Sequence, residues 1–280
     1  MVQPNTFNMD LKEGLIGVMG APKTAKTSWL MTAPKPIFHI DADRGLERMA
    51  PALLANGITI KQLVPNTVPD YADMMGADII SLPLEMPIGW KGATLSGFSE
   101  IVTTLVTTVQ MVCQAEWIKT IGYDTGTVIW PWLHQAELQA KQAKTPGRES
   151  LLPVEYAAPN ALQKALYSNP RTVHKNVIVT NHTRNITKDG GTEVIGITWD
   201  GSSKLEAAVD VFIGTRIEQK PAPVIQGQLA APGSNVATPV ATIVRCGWSL
   251  ESEGKDIPVF SWDGMLDFIN GMRHGNVATP

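Results

Sequence analysis

Short apolar segments alternate with stretches of helical periodicity along most of the chain. The apolar segments predict strands over 15–19, 37–41, 58–64, 118–124, 176–181 and 209–217. Amphipathic spacing predicts helices over 26–33, 44–55, 98–116, 127–143, 155–168, 202–208 and 264–272. This alternation is typical of a mainly parallel sheet with helices packed on both of its faces. We therefore expect an α/β fold of that class.

The regular pattern is interrupted twice. Residues 65–97 contain several prolines and few periodic positions, which predicts an irregular insertion. Residues 221–239 are rich in proline, glycine and alanine, which predicts a flexible loop. The apolar segments 240–250 and 256–262 then predict strands, arranged as a hairpin that extends the sheet. The expected organisation is a core over 1–218, followed by a tail over 219–280 in which the loop, the β-hairpin and a C-terminal helix pack on that core.

Composition limits the class of protein without naming its function. The chain has 280 residues, of which 44% are hydrophobic, so it can bury a full core. A net charge of −3 indicates no general affinity for nucleic acid. The two cysteines lack metal-ligand spacing, and no leader or apolar span long enough for a membrane is visible, so we expect a cytoplasmic protein without membrane contact.

A phosphate-binding pattern follows the first predicted strand. The segment Gly20-x4-Ala25-Lys26-Thr27 differs at one position from the pattern G-x4-G-K-[ST]. In such a loop the backbone N–H groups enclose phosphate oxygens, the lysine reaches the β- and γ-phosphates, and the hydroxyl ligates Mg²⁺. The predicted nucleotide-binding residues are Gly20, Ala21, Pro22, Lys23, Thr24, Ala25, Lys26, Thr27 and Ser28.

Ala25 stands where the pattern has glycine. Alanine is acceptable there if the backbone is helical, as it is at the beginning of a helix. It is unfavourable if the position requires a positive φ, because a β-carbon then meets the neighbouring carbonyl.

Two predicted strands end in acidic residues. Ligands bind beyond the carboxyl ends of parallel strands, so Asp43 and Asp124 are expected at the same edge as the phosphate loop. Asp124 suits the role of a Mg²⁺ ligand beside Thr27, and Asp43 suits a base that orients or deprotonates the attacking water. Asp41 is a competing candidate for the base. Capping of the next helix is the structural alternative for an acid at a strand end.

The predicted strand 176–181 also has a polar end. His182 directly follows it and is a candidate sensor of the γ-phosphate, with a purely structural histidine as the alternative. The five histidines of the chain show no metal-ligand spacing. The sequence therefore predicts Mg²⁺ at Thr27 and Asp124 and no further metal site.

Taken together, these motifs resemble the RecA-like P-loop ATPases over residues 12–218. The segment from His39 to Leu46 is similar to the RecA segment that carries the catalytic glutamate, with Asp43 in its place. Thr180 to Arg184 is similar to the RecA segment with the γ-phosphate-sensing glutamine, with His182 in its place. The segment from Gly201 to Arg216 places Lys204 where RecA uses a lysine across the subunit interface.

The loop residues Ala21, Pro22 and Lys23 are more similar to compact bacteriophage ATPases of this family, including the Sak-type single-strand annealing proteins. The resemblance implies ATP and Mg²⁺ as cofactors, and self-assembly into rings or filaments with ATP between subunits. It also implies single-stranded DNA as a partner, a single-stranded-DNA-binding protein as a further partner, and the cytoplasm of a host cell as the location.

A local basic excess accompanies the resemblance. Residues 131–190 contain eight lysines and arginines against four acidic residues. Loops over 140–154 and 183–199 correspond to those that line the DNA channel in RecA-like proteins. The candidates for contact with DNA phosphates are Lys141, Lys144, Arg148, Arg184 and Lys188, and the alternative is a solvated basic surface.

These observations predict an ATPase of DNA recombination or annealing that binds single-stranded DNA when ATP is bound. Three other classes stay open: a nucleotide-binding assembly protein without turnover, a ring helicase or packaging ATPase, and a small-molecule P-loop kinase. A kinase usually closes an arginine-rich lid over the phosphates, and no such segment is visible.

Overall fold

The computed structural model describes residues 13–86, 90–91, 94–188, 192–201, 208–221 and 235–273. Its centre is an eight-stranded sheet with the order β12-β11-β1-β8-β7-β2-β4-β3. Neighbouring strands run parallel except β11 and β12, which are antiparallel. Two small antiparallel pairs, β5–β6 and β9–β10, lie outside this sheet.

The elements have the following bounds. The strands are β1 Leu15–Met19, β2 Ile37–Asp41, β3 Ile60–Gln62, β4 Ile79–Pro83, β5 Trp90–Lys91, β6 Thr94–Leu95, β7 Thr120–Asp124, β8 Asn176–Asn181, β9 Thr183–Thr187, β10 Val194–Trp199, β11 Val211–Pro221 and β12 Asn235–Cys246. The helices are α1 Lys26–Leu30, α2 Gly45–Ala55, α3 Phe98–Gln114, α4 Gly126–Gln142, α5 Ala157–Thr172 and α6 Trp262–Arg273. Short 3₁₀ turns cover Tyr71–Met74, Pro153–Tyr156 and Leu250–Ser252.

The central strands are apolar because both of their faces are covered. Side chains of α3, α4 and α5 pack with one face of the sheet, where Ile121, Tyr123 and Val179 point. Side chains of α1, α2 and α6 pack with the other face, where Ile16 and Val18 point. The predicted fold class is thus confirmed: the protein has a mainly parallel α/β sheet with helices on both faces and a β extension near its C-terminus.

The prediction of an irregular insertion over 65–97 is wrong for its middle part. β4 lies there as a fully buried strand between β2 and β3. Ser81 and Pro83 interrupt its apolar pattern, and it has only five residues, so it lacks a strong sequence signature. The 3₁₀ turn Tyr71–Met74 and the strands β5 and β6 also lie within this range.

The tail agrees with the prediction only in part. A β extension of the sheet is present, but its strand pairing differs from the predicted hairpin of 240–250 with 256–262: β12 pairs antiparallel with β11, from Val211 with Cys246 to Pro221 with Asn235. Strand therefore extends into both ends of the loop predicted over 221–239, and the rest of that loop lies outside the described residues. The strand predicted over 256–262 is wrong, because only a single bridge joins Thr242 to Asp256 there.

The C-terminal helix α6 packs on the core, as Trp262 contacts Trp29 of α1 with ring centroids 6.1 Å apart. The helix predicted over 202–208 lies almost entirely outside the described residues. Among the helices that the structure describes, none combines the length and apolar character needed to cross a membrane.

Candidate phosphate-binding site

The phosphate loop, residues 20–28, connects β1 to α1 at the carboxyl edge of the sheet. Lys23 and Ala25 have left-handed backbones, with φ values of 65° and 66°. Right-handed and left-handed residues in alternation turn successive N–H groups toward one side of a loop, which forms a concave anion site. Within the described part of the chain, no hydrogen bond uses the backbone N–H groups of residues 23–28. The loop thus has unpaired donors for an anion.

Ala25 does not have the helical backbone under which alanine would be acceptable. Its φ of 66° and ψ of 24° lie in the left-handed region, immediately before α1. An L-residue with a β-carbon is disfavoured there by about 1–2 kcal/mol. Residue 25 therefore has the conformation that favours glycine, and the alanine keeps it at a cost in stability.

Lys26 begins α1 with its ammonium directed back over the loop. Nζ donates hydrogen bonds to the carbonyl oxygens of Gly20 at 3.0 Å and Ala21 at 2.8 Å. Its side chain is buried, and this burial lowers the pKa of Lys26 while the nearby carboxylates of Asp124 and Asp43 oppose the shift. The ammonium is therefore held within the concave side of the loop.

Asp124 ends β7 and is held by hydroxyl groups of two neighbouring elements. Thr27 Oγ1 of α1 donates to Asp124 Oδ2 at 2.6 Å, and Thr180 Oγ1 of β8 donates to Asp124 Oδ1. The carboxylate is 1% exposed. Burial opposes its ionisation, but the polar contacts with His39, Thr180 and Thr27 outweigh burial and lower the pKa of Asp124. Thr27 and Asp124, the two predicted Mg²⁺ ligands, are thus in contact.

The acidic residues at the end of β2 have different surroundings. Asp41 accepts hydrogen bonds from the backbone N–H groups of Gly45 at 2.9 Å and Leu46 at 3.3 Å, so it caps the first turn of α2. Asp43 Oδ1 is buried and has no hydrogen-bond partner among the described residues. Burial and the carboxylates of Asp124 and Asp41 raise the pKa of Asp43. Asp41 is therefore engaged as a cap, whereas Asp43 keeps an available oxygen.

Gly45 is the point around which three of these oxygens converge. A β-carbon at Gly45 would lie 2.7 Å from Thr27 Oγ1, 2.9 Å from Asp124 Oδ2 and 3.1 Å from Asp43 Oδ1. Hydroxyl and carboxylate oxygens are the donors that Mg²⁺ prefers. The donor set and the space kept by a glycine thus fit a Mg²⁺ ion.

A cavity of about 570 Å³ opens beside these groups. Its lining consists of Pro22, Lys23, Thr24, Ala25, Lys26, Thr27, Ser28, Asp43, Gly45, Arg48, Met49, Asp124 and His182. A larger cavity, of about 970 Å³, lies at the opposite edge of the sheet and is lined by none of the predicted site residues. The structure thus brings the predicted loop, Asp43, Asp124 and His182 to one cavity.

His182 follows β8 and contributes to the wall of this cavity. Its backbone N–H donates to Thr127 Oγ1 at 2.9 Å, which anchors the residue to α4. Its Nδ1 is buried and has no partner within the described residues. Burial and the charge of Lys26 lower the pKa of His182, which favours the neutral imidazole.

Sequence reasoning missed three residues of the cavity, Gly45, Arg48 and Met49, and one residue beneath it, His39. Gly45 and Arg48 belong to α2, and the charge of Arg48 acts on both Lys26 and Asp43. His39 of β2 is fully buried, 3.4 Å from Asp124 Oδ2. Gly45 and Arg48 come just after the acidic end of β2 in the sequence, and this position could have indicated that they belong to the site. For His39, the polar residue in an otherwise apolar strand could have indicated a role near the site.

None of the predicted DNA-contacting residues lines this cavity; they are together called the basic surface here: Lys141, Lys144, Arg148, Arg184 and Lys188. Lys141 lies 3.2 Å from Glu137 and 3.6 Å from Glu155. Arg148 holds the same Glu155 with two nitrogens, one of them 3.1 Å from Oε1. These two cations are paired with acidic residues of their own chain.

The other cations of the basic surface are more available. Lys188 lies 3.7 Å from Glu193, and both side chains are largely exposed. Within the described residues, no ion pair is formed by Lys144 or Arg184. In the segment 183–199, predicted as a loop, the described residues instead contain the antiparallel strands β9 and β10, and Arg184 lies in β9. Lys204 lies outside the described residues.

The chain was compared with known proteins at the levels of sequence and structure. No protein-family model matches it, and no curated protein matches it either. Among solved structures, it is similar to the crystal structure of the RadB recombinase, with a TM-score of 0.42 and 15% sequence identity. The similarity covers 87% of this chain and 84% of that chain.

Proposed function

We propose that this protein is a RecA-like ATPase that binds and hydrolyses MgATP at the phosphate loop. The observation that supports this most is the convergence at Gly45 of the oxygens of Thr27, Asp124 and Asp43, beside a loop that contains Lys26. Hydroxyl, carboxylate and ammonium groups in this arrangement suit the binding and transfer of a phosphoryl group.

The loop binds the triphosphate through its backbone and through Lys26. The unpaired N–H groups of residues 23–28 donate to phosphate oxygens. The Lys26 ammonium exchanges its bonds with the Gly20 and Ala21 carbonyls for bonds with the β- and γ-phosphates. Because it is already held inside the loop, little side-chain entropy is lost on binding.

The attacking water is oriented by Asp43. Thr27 and Asp124 would hold Mg²⁺, which would supply neutralisation of the charge that develops on the phosphate oxygens. The free Oδ1 of Asp43 accepts a hydrogen bond from the water, and the raised pKa of this residue makes it a better proton acceptor. His182, with an unpartnered nitrogen in the cavity wall, contacts the γ-phosphate and responds to its loss.

The same proposal links nucleotide to DNA through the hairpin that follows His182. A change at His182 reaches β9 directly along the chain, and Arg184 is two residues away. In our proposal, bound ATP orders the basic surface for single-stranded DNA, and Lys204 of a neighbouring subunit completes the site in a ring or filament. Recombination or strand annealing of the bacteriophage type, with a single-stranded-DNA-binding protein as partner, is the biological setting that we infer.

A second candidate is a nucleotide-binding assembly protein without turnover. The strained Ala25 and the short side chain of Asp43 favour it, since both depart from the pattern of an efficient ATPase. Measured phosphate release separates the two candidates, because a protein that only binds ATP releases none above the background rate.

The test is ATP-dependent binding to fluorescently labelled single-stranded DNA. The wild-type chain is expected to bind more tightly with ATP than without, and Lys26→Ala is expected to lose this difference. Lys119→Ala serves as the matched control, since Lys119 is an exposed lysine next to the opposite end of β7. Equal DNA binding by the wild type and Lys26→Ala, with and without ATP, would refute the proposed coupling.

A further inference from the structure

His39 is a buried polar residue in an otherwise apolar strand. It lies in the middle of β2, between Phe38 and Ile40, and its side chain is 0% exposed. Burying an imidazole without polar partners costs free energy that an aliphatic residue at the same position would not. Its retention in the sheet centre therefore calls for a physical explanation.

The imidazole lies between a hydroxyl on one side and the Asp124 carboxylate on the other. Nδ1 is 3.3 Å from Ser81 Oγ of β4, the residue paired with His39 across the sheet. Nε2 is 3.4 Å from Asp124 Oδ2 of β7. A hydroxyl that donates to Nδ1 fixes the tautomer that carries its proton on Nε2, facing the carboxylate.

Asp124 Oδ2 is also the oxygen on the nucleotide side. It accepts the Thr27 hydroxyl at 2.6 Å and points toward Gly45, whereas Oδ1 faces Thr180. Rotation of the carboxylate away from Gly45 would move this oxygen out of the site. Nε2 of His39 is 3.4 Å from this oxygen but is not aligned for a hydrogen bond with it, so the Nε2–H group opposes such a rotation through electrostatic attraction alone.

We propose that His39 is a positioning residue for the Mg²⁺ site, orienting the Asp124 carboxylate through Nε2 while Ser81 orients the imidazole through Nδ1. The inference rests on the proposed function, since it assigns a role relative to the metal of that site. Groups that orient metal-binding carboxylates typically contribute about 10- to 100-fold to metal affinity.

Direct coordination of a metal by His39 is less consistent with the contacts. One ligand atom each of His39, Asp41 and Asp124 lies within 4.8 Å of the others. Both oxygens of Asp41, however, accept backbone N–H groups of α2. A metal bound by these three residues would compete with those N–H groups for the Asp41 oxygens, so we place His39 behind Asp124 and not in contact with the metal.

The test replaces His39 by two amide residues, each of which can keep only one of the two imidazole contacts. The side-chain N–H₂ of glutamine can take the place of Nε2 and donate to Asp124, whereas the amide of asparagine reaches only as far as Nδ1. His39→Gln is therefore the conservative variant, and His39→Asn removes the proposed contact. Ser81→Ala leaves the imidazole present but removes the hydroxyl that orients it.

Three quantities are measured for each full-length variant: Mn²⁺ affinity in the presence of ADP by electron paramagnetic resonance, binding of a fluorescent ATP analogue in EDTA, and thermal unfolding. We expect His39→Asn to weaken Mn²⁺ binding about tenfold or more, and His39→Gln and Ser81→Ala to weaken it about threefold or less. Binding of the analogue in EDTA is expected to be the same for all variants.

The inference is overturned if His39→Asn and His39→Gln have the same Mn²⁺ affinity while wild-type binding is normal. It is also overturned if metal affinity falls only in proportion to thermal stability, since His39 would then be purely structural. If His39→Asn does not fold, an Mn²⁺ affinity of His39→Gln more than tenfold below wild type overturns it. A wild-type chain that binds neither Mn²⁺ nor nucleotide refutes the proposed function itself, together with this inference.

Discussion

The phosphate site and the basic surface differ in how firmly their polar groups are held before a ligand binds. In the phosphate site, Asp124 is 1% exposed and receives hydroxyl groups from two neighbouring elements. In the basic surface, Arg184 is exposed, and the pair of Lys188 with Glu193 has side chains 61% and 69% exposed. Preorganised groups contribute more per contact than mobile ones, because less entropy is lost on binding. Substitutions in the phosphate site should therefore have the larger effects.

The largest effect is expected for Asp43→Asn, which keeps the shape but removes the proton acceptor. Loss of a general base typically slows turnover by about 10²- to 10⁴-fold. Steady-state phosphate release should fall by that factor, while binding of MgATP stays close to that of the wild type. Asp41→Asn is the comparison variant: it should mainly lower thermal stability, since Asp41 caps α2. Equal turnover by Asp43→Asn and the wild type would show that Asp43 takes no part in the reaction.

Gly45→Ala tests the convergence of oxygens directly. Its new β-carbon would lie 2.7 Å from Thr27 Oγ1 and 2.9 Å from Asp124 Oδ2, so both ligands must move. Displaced metal ligands should raise the Mg²⁺ concentration for half-maximal nucleotide binding by about tenfold or more. The φ of Gly45 is not in the positive range, so the substitution tests space and not backbone strain.

Gly247→Ala is the matched control, because its β-carbon would meet only the Asp210 carbonyl oxygen, at 3.3 Å. Its Mg²⁺ requirement should equal that of the wild type. An unchanged Mg²⁺ requirement in Gly45→Ala as well would contradict the assignment of the metal site.

Two arginine substitutions compare the cations of the basic surface with each other. Arg184→Ala removes an exposed cation without an ion pair in the described residues, whereas Arg148→Ala removes one already held by Glu155. Loss of one phosphate contact should reduce the slope of log affinity against log salt for single-stranded DNA by about 0.7. Arg184→Ala should show this change and several-fold weaker binding at low salt, and Arg148→Ala should not. The reverse result would place the DNA path along the segment between α4 and the 3₁₀ turn Pro153–Tyr156, which contains Arg148.

The smallest effect is expected for Ala25→Gly, and it concerns stability. Relief of the left-handed strain should stabilise the protein by about 1 kcal/mol after the added flexibility of the unfolded chain is deducted. Thermal unfolding should shift upward by about 2–4 °C. Because the strain is present without nucleotide, affinity should change little.

Ala143→Gly provides the control of opposite sign, since Ala143 has a right-handed backbone with φ −61°. The same substitution there should destabilise by about 0.5–1 kcal/mol. A downward shift of both variants would mean that the backbone at residue 25 is not strained.

The sequence predicted most of the fold because the central strands are apolar and their ends are marked. The bounds of β1, β2 and β8 agree with the prediction residue by residue. β4 was missed because Ser81 and Pro83 interrupt its five residues, and its burial comes from neighbouring strands. The hairpin of β9 and β10 was missed because its apolar residues Ile186, Ile195 and Ile197 are exposed among polar ones.

For the side chains of the candidate site, prediction from the sequence was also only partly successful. The motif indicated Lys26 and Thr27, and the strand ends indicated Asp43 and Asp124. The sequence could not separate Asp43 from Asp41, because only the path of the chain into α2 decides which carboxylate caps the helix. The positive φ of Ala25 and the contact of His39 with Asp124 depend on tertiary packing, which one-dimensional spacing does not contain.

The central claim is that a nucleoside triphosphate binds at the phosphate loop through Lys26. Calorimetric titration of the wild-type chain, Lys26→Ala and Lys119→Ala with Mg²⁺ and a non-hydrolysable ATP analogue tests it most directly. Loss of hydrogen bonds to a charged group costs about 1.5–3 kcal/mol, so Lys26→Ala should bind at least about tenfold more weakly than the other two. Equal affinity of Lys26→Ala and Lys119→Ala, or no binding by the wild type, would contradict the account.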